Sequence, residues 1–269
     1  MQYDPIKRFL GKIFNSTPFL RVLFYKLLNL LLLRTWHIKK ELRKIKKTIP
    51  EKAWVLDAGS GFGQYVYSLS SISSSWKIKG VDVKDEQIAD CNQFFDKLGE
   101  TDRISFEIAD LTKYVDPEKY SLILSVDVME HILEDVQVFK NFNQSLKPGG
   151  VLLISTPSDQ GGSDVHDDHE DSFISEHVRD GYNINEIEEK LRSAGFSKVE
   201  AYYSYGTPGK ISWKLSMKYP ILLVNKHKLW MLVLPFYYML AFPFALVLNC
   251  FDVNGTHKSG TGLIVKAWK

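Results

Sequence analysis

Three acidic residues stand where a nucleoside-like ligand could be held. Asp57 opens the run Asp57-Ala58-Gly59-Ser60-Gly61-Phe62-Gly63, Asp82 ends Gly80-Val81-Asp82, and Asp110 precedes Leu111. The glycines permit positive φ and let backbone N–H groups approach a ligand with no Cβ in between. A dinucleotide fingerprint, G-x-G-x-x-G, requires glycine at position 64, where Gln64 stands. An acid ahead of the glycines repels a pyrophosphate and suits a cationic ligand group. Nineteen residues beyond Gly63, Asp82 is placed to accept both ribose hydroxyls of an adenosine. Asp110 and Leu111 offer an edge and a face to adenine.

These residues need a scaffold that gathers them, and the chain predicts one. Ala53–Asp57, Lys77–Asp82, Ile104–Ala109, Leu122–Val126, Val151–Thr156, Lys198–Tyr205 and Gly262–Trp268 read as seven short strands. Helical spacing runs through Gln64–Ser71, Glu86–Leu98, Glu134–Leu146 and Asn185–Ala194, with Lys147-Pro148-Gly149-Gly150 as a stop followed by a turn. Strand and helix in alternation predict an α/β fold, a mostly parallel sheet with helices on both faces. The three acids then sit at the carboxyl ends of successive strands, lining one crevice.

Composition narrows the class further. At 269 residues, 45% hydrophobic and 25% charged, the chain is neither disordered nor collagen-like. Cys91 and Cys250 form no CxxC pair and no disulfide framework, so a reducing compartment is expected. The net charge of +2 conceals an asymmetry: +10 over residues 1–52, −15 over 53–204 and +7 over 205–269. The expected organisation is an N-terminal helical extension (1–49) and a main domain (50–269) with an apolar helical insertion at 207–258.

The block resembles the class I S-adenosylmethionine-dependent methyltransferases. The resemblance rests on Asp57 to Gly63, Asp82, Asp110-Leu111, Asp127-Val128-Met129-Glu130-His131, Leu146 to Gly150, Glu176-His177-Val178-Arg179 and Ala194-Gly195-Phe196. It covers residues 50–205 and 259–269, and it implies a Rossmann-like, seven-stranded sheet with an antiparallel last strand. It also implies S-adenosyl-L-methionine as cofactor. Asp57, Gly59, Gly61 and Gly63 would then face the methionine part, Asp82 the ribose, and Asp110 with Leu111 the adenine.

Methyl transfer from a sulfonium is a direct displacement, so alignment can supply much of the catalysis. A base is required only for an acceptor with a proton to lose, and His131, after the fourth strand, is the candidate base or acceptor contact. His166, His169, His177 and Tyr182 are candidate acceptor contacts. Asp127-x-x-Glu130-His131 also looks like the Glu-x-x-Glu-His pattern of metal-assisted O-methyltransferases, but Asp127 replaces the first glutamate. The balance favours no metal, with the acidic loop His166–Asp171 as a solvated face.

The two ends add a different chemistry. Phe19, Leu20, Leu23, Phe24, Leu27, Leu30 and Leu31 share one helical face, opposite Arg21, Tyr25, Lys26 and Asn29. Arg34 to Lys47 carries seven basic residues against Glu41. Such a pattern suits an interfacial anchor whose cations face anionic headgroups. Leu229 to Phe251 holds 23 residues without a charge, interrupted by Pro235 and Pro243. Both of its ends must return to the same sheet, so a monotopic contact, a hairpin or an apolar lid is expected in place of a single crossing. The sequence therefore predicts methyl transfer to a hydrophobic, lipid-like or quinone-like molecule. The expected location is cytoplasmic, peripheral on the cytosolic face of an anionic membrane, with no nucleic-acid partner. The alternative is a membrane-associated, cofactor-binding interaction subunit without turnover.

Overall fold

The structure, a computed structural model, describes residues 17–161 and 178–269. His166, His169 and His177 lie outside the described residues. Seven strands form one sheet: β1 (Trp54–Ala58), β2 (Lys77–Asp82), β3 (Ile104–Ile108), β4 (Tyr120–Val126), β5 (Leu146–Pro157), β6 (Lys198–Ser204) and β7 (Gly262–Trp268). Their order is β3-β2-β1-β4-β5-β7-β6, with β7 antiparallel to both neighbours and the other pairs parallel. The chain reverses direction of travel across the sheet between β1 and β4, and that switch point opens the crevice.

Alternation along the strands splits the core into two layers. Val55, Ile78, Leu122, Leu124 and Leu153 point to one face, where they meet helices α1 (Pro18–Leu31), α2 (Leu33–Ile45), α3 (Gln64–Ile72) and α4 (Asp85–Lys97). Leu56, Val81, Ile123, Leu152 and Val265 point to the other, under α5 (Asp135–Ser145) and α6 (Ile184–Ser193). All seven residues of β4 are buried, with Leu122-Ile123-Leu124 as its apolar centre between Ser121 and Ser125.

Two expectations are corrected. Lys147–Gly150 is not a turn ahead of the fifth strand. Strand β5 begins at Leu146 and the register shifts between Tyr120 and Leu122, so these four residues are absorbed as an irregularity, with Gly149 at φ +75°. Pro243 does not interrupt the apolar stretch either. After β6 the insertion runs through α7 (Thr207–Trp213), a π-helical turn (Lys214–Lys218), α8 (Tyr219–Lys226), a 3-10 turn (Lys228–Leu232) and α9 (Leu234–Asn254). Pro235 occupies the first turn of α9, where no helical partner for its N–H is lost, and Pro243 removes one rung from a 21-residue helix. Helix α9 folds back on α7, forming a hairpin. Tyr237 and Tyr238 donate to the carbonyls of Leu215 and Ser216 (2.7 and 2.8 Å), which the π turn leaves available.

The extension and the insertion meet at Asp252. This fully buried carboxylate accepts from His37 Nε2 (2.8 Å), Tyr205 N (3.1 Å) and Gly209 N (2.9 Å). It joins α2, the end of β6, α7 and α9 in one polar knot.

Candidate active site

The glycine loop follows β1 as the sequence predicts. Gly59 N and Ser60 N both donate to Val81 O (2.8 and 2.9 Å), fixing the loop to the end of β2. Gly59 sits at φ +82°, and a Cβ there would overlap the Val128 side chain beyond β4, so glycine is required on two counts. Asp82 reaches back to the loop: Oδ2 accepts from Gly61 N (2.8 Å) and Oδ1 from Lys84 N (3.0 Å). Each oxygen keeps a further lone pair for a ligand hydroxyl.

Asp57 is the electrostatic centre of this half. It is 1% exposed and its Oδ2 has no hydrogen-bond partner, an orphan costly in a low-dielectric setting unless a ligand meets it. Burial, and next the charge of Asp82, push its carboxyl up to about 8. Asp110 lies exposed beyond β3, its Oδ1 held by Thr112 N (2.9 Å) and Thr112 Oγ1 (2.7 Å). Leu111 turns largely into the core, and Asn141 Nδ2 holds its carbonyl (2.8 Å).

Across the switch point, the ends of β4, β5 and β6 bring Asp127 and Glu130, given a role by the sequence only through an imperfect metal pattern, together with Arg34, Tyr65 and Tyr205, which the sequence does not assign to the site. Asp127, at φ +52°, is ion-paired with Arg34 from α2. Tyr205, at φ +54°, accepts from Arg34 N through its hydroxyl (3.0 Å). Tyr65 of α3 lies against the same guanidinium and beside Thr35 Oγ1 (3.4 Å). Two strained non-glycine residues meeting at one arginine mark a constrained site. Glu130 is buried and receives Thr156 Oγ1 (3.1 Å); burial, then the charge of Asp127, raises its carboxyl.

The predicted acceptor contacts separate. His131 ends a 3-10 turn (Met129–His131) and is exposed at the rim. Tyr182 is fully buried, its hydroxyl donating to Met129 O (3.1 Å) and Asp135 Oδ2 (2.8 Å), so it shapes the wall and does not face the crevice. Arg179 is likewise spent on Asp135 and the Ile132 carbonyl. Of the metal pattern, Asp127 is neutralised by Arg34, and no group of three metal-type side chains gathers among the described residues.

A seven-stranded sheet with β7 antiparallel, a glycine loop after β1 and acids at the next strand ends define the class I S-adenosylmethionine-dependent methyltransferases. A family profile described as "Methyltransferase domain" matches residues 50–207, and the chain belongs to that family. Among curated relatives, maize phosphoethanolamine N-methyltransferase 1 is 29% identical over 151 residues, 55% of this chain and 28% of that protein. The human mitochondrial ubiquinone biosynthesis O-methyltransferase is 31% identical over 106 residues, 38% of this chain and 28% of that protein. The chain thus matches less than a third of the length of either. Among solved structures, Haemonchus contortus phosphoethanolamine N-methyltransferase 2 in complex with S-adenosyl-L-methionine superposes with a TM-score of 0.60. That match has 20% identity and covers 86% of this chain and 52% of the other, a likeness of fold.

Proposed function

We propose that this chain transfers a methyl group from S-adenosyl-L-methionine to a hydrophobic, lipid-like or quinone-like acceptor at the anionic surface of a membrane. When bound, the cofactor supplies an electrophilic methyl group on a sulfonium. The buried Asp57 Oδ2 receives the ammonium of its methionine part, Asp82 the ribose hydroxyls, and Asp110 borders the adenine. Arg34, Tyr65, Tyr205 and Asp127 line the half of the crevice where an acceptor enters. His131, at the rim, takes the proton from an acceptor that carries one.

One observation carries the hydrophobic and membrane part of the reading. The apolar side chains of α1 and α9 face outward: Phe19 is 74% exposed, Leu240 72% and Phe244 68%. Helix α9 is long and apolar enough to cross a membrane by length and composition. Monomeric proteins rarely leave such surface to water. Lysines 210, 214, 218, 226 and 228 accompany the insertion, whose one acid, Asp252, is buried. This pattern fits a surface lying on anionic lipid, with both ends of the insertion returning to one side. That one relative is named for ubiquinone biosynthesis agrees with a quinone-like acceptor.

The test is incubation of the full chain with methyl-labelled cofactor and a membrane lipid extract, with flotation on anionic vesicles in parallel. Label is expected in the organic phase, and flotation is expected to be lost on replacing Leu240 and Phe244 by Glu. Label confined to water-soluble products would overturn the hydrophobic acceptor, and unchanged flotation of the double variant would overturn the role of α9.

A further inference from the structure

Helix α1 is mounted inside out. An amphipathic helix on a globular domain normally turns its apolar stripe inward. Here Phe19, Leu23, Leu27 and Leu30 form a stripe at i, i+4, i+8 and i+11 that is exposed along its length, while Arg21 and Tyr25 are buried. The buried face lands on the loop that holds the cofactor. Arg21 Nη2 donates to Phe62 O (2.9 Å), between Gly61 and Gly63, and Tyr25 Oη donates to the same carbonyl. Arg21 Nη2 also reaches Cys91 Sγ (3.2 Å), whose thiol points at Gly61 O (3.6 Å), and Nη1 holds Asp90 O (3.2 Å). One turn further, Asn29 accepts from Gln64 Nε2 (3.0 Å), the first residue of α3. The rings of Phe24 and Tyr25 lie 5.9 and 6.0 Å from that of Phe62. The loop is therefore tied from below by Val81 O and clasped from above by α1.

We infer that Arg21 and Tyr25 are positioning residues for the cofactor loop, and that docking of the outer stripe of α1 on a lipid surface raises cofactor affinity. The inference rests on the membrane reading proposed above. A 14-residue helix is marginal by itself and needs packing to persist. The inner face of α1 supplies hydrogen bonds, but most of its apolar stripe stays unburied, so lipid contact stabilises the clasp without altering any bond to the loop. The occupant is set by charge: Lys26 is exposed on α1, the helix holds no acid, and the nearest acid in sequence on the C-terminal side, Glu41, is buried against lysines. Linkage is reciprocal, so cofactor must strengthen vesicle binding by the same factor that vesicles strengthen cofactor binding.

The experiment is calorimetric titration of S-adenosylhomocysteine into the full chain, with and without vesicles of phosphatidylcholine and phosphatidylglycerol. Vesicles are expected to tighten binding by at least about fivefold, at the lower end of ordinary coupling between sites. Replacing Leu23 and Leu27 together by Glu leaves solution affinity unchanged and abolishes the gain. Arg21→Met weakens cofactor binding in both conditions without weakening flotation, and Arg21→Lys restores part of it. Equal affinity with and without vesicles, for protein that floats with them, overturns the coupling and leaves the membrane reading standing. Absence of flotation overturns both. Absence of S-adenosylhomocysteine binding in either condition overturns the cofactor site itself and the inference with it.

Discussion

In the reading proposed above, the orphaned carboxylate of Asp57 makes cofactor binding a proton-linked event. With its carboxyl raised to about 8 by burial and by Asp82, Asp57 is roughly nine-tenths protonated at pH 7 in the free protein. The ammonium of the methionine part favours the ionised form, so binding must expel that proton. The sign follows: below pH 8 affinity rises with pH, because fewer molecules have a proton to lose. Between pH 6 and pH 7 the rise is about ninefold to tenfold, about 1.3 kcal/mol, since one pKa unit corresponds to about 1.4 kcal/mol. The useful window ends near pH 7.5, because an α-amino group itself begins to deprotonate at about 7.7–8.0. Calorimetry at pH 7 in buffers of different ionisation enthalpy should count close to one proton released per cofactor bound. Asp57→Asn removes both the proton release and the pH dependence while weakening binding. A wild-type affinity flat from pH 6 to pH 7, with no proton released, would refute the assignment of Asp57 to the ammonium.

Three further outcomes are expected. Asp82→Ala, which deletes the bonds from Gly61 N and Lys84 N as well as the proposed ribose contact, should weaken cofactor binding severely by calorimetry while the sheet remains folded by circular dichroism. Gly59→Ala should cost about 1–2 kcal/mol for the left-handed backbone plus the overlap with Val128; adding Val128→Ala should recover only the overlap, as urea unfolding will show. Asp252→Ala should destabilise the chain by about 3–5 kcal/mol at pH 7. Burial alone would raise the Asp252 carboxyl, but His37, then His257 and Gly209 N, hold it below the ordinary value. Its contribution is therefore present above about pH 4 and lost only as pH falls through the lower folded value, so the deficit of the variant, read by denaturant titration, should close only there.

The strands and the cofactor half were legible because their signals are local. Each strand of a sheet covered on both faces is a short apolar run with polar ends: Asp57 stands next to last in β1, Asp82 ends β2, and Asp110 stands two residues beyond β3. The half of the crevice around Arg34 was not legible, because its chemistry comes from pairs far apart in sequence. Arg34 reaches Asp127 across 93 residues, and within a basic run nothing marks it as different from Lys39 or Arg43. Tyr182 was over-read for the converse reason. A tyrosine near the crevice resembles a ligand contact until the structure shows its hydroxyl committed to Asp135. The periodicity of α1 separates Phe19, Leu23, Leu27 and Leu30 from Arg21 and Tyr25, but it puts Phe24 on the outer stripe, where the structure packs it against Phe62, and Lys26 with the buried face, where the structure leaves it exposed.

That ambiguity bears on how charge distributes in the folded chain. The basic residues of the extension, on α1 and in the run Arg34 to Lys47, divide into two populations. Arg21, Arg34 and Lys40 spend their charge inward, on Phe62 O, Asp127 and Val253 O, whereas Lys26, Arg43, Lys46 and Lys47 remain exposed. The inward set fastens α1 to the glycine loop, α2 to Asp127 beyond β4, and the extension to the end of α9 through Lys40 and His37. The extension and insertion are therefore structural parts of the crevice, though the family match ends at residue 207 and begins at residue 50. A helix that holds a catalytic loop with its polar face has its apolar face left over. In water that face is a liability; in the reading proposed above, a lipid surface covers it, so that one surface brings the chain to a hydrophobic acceptor and tightens the glycine loop.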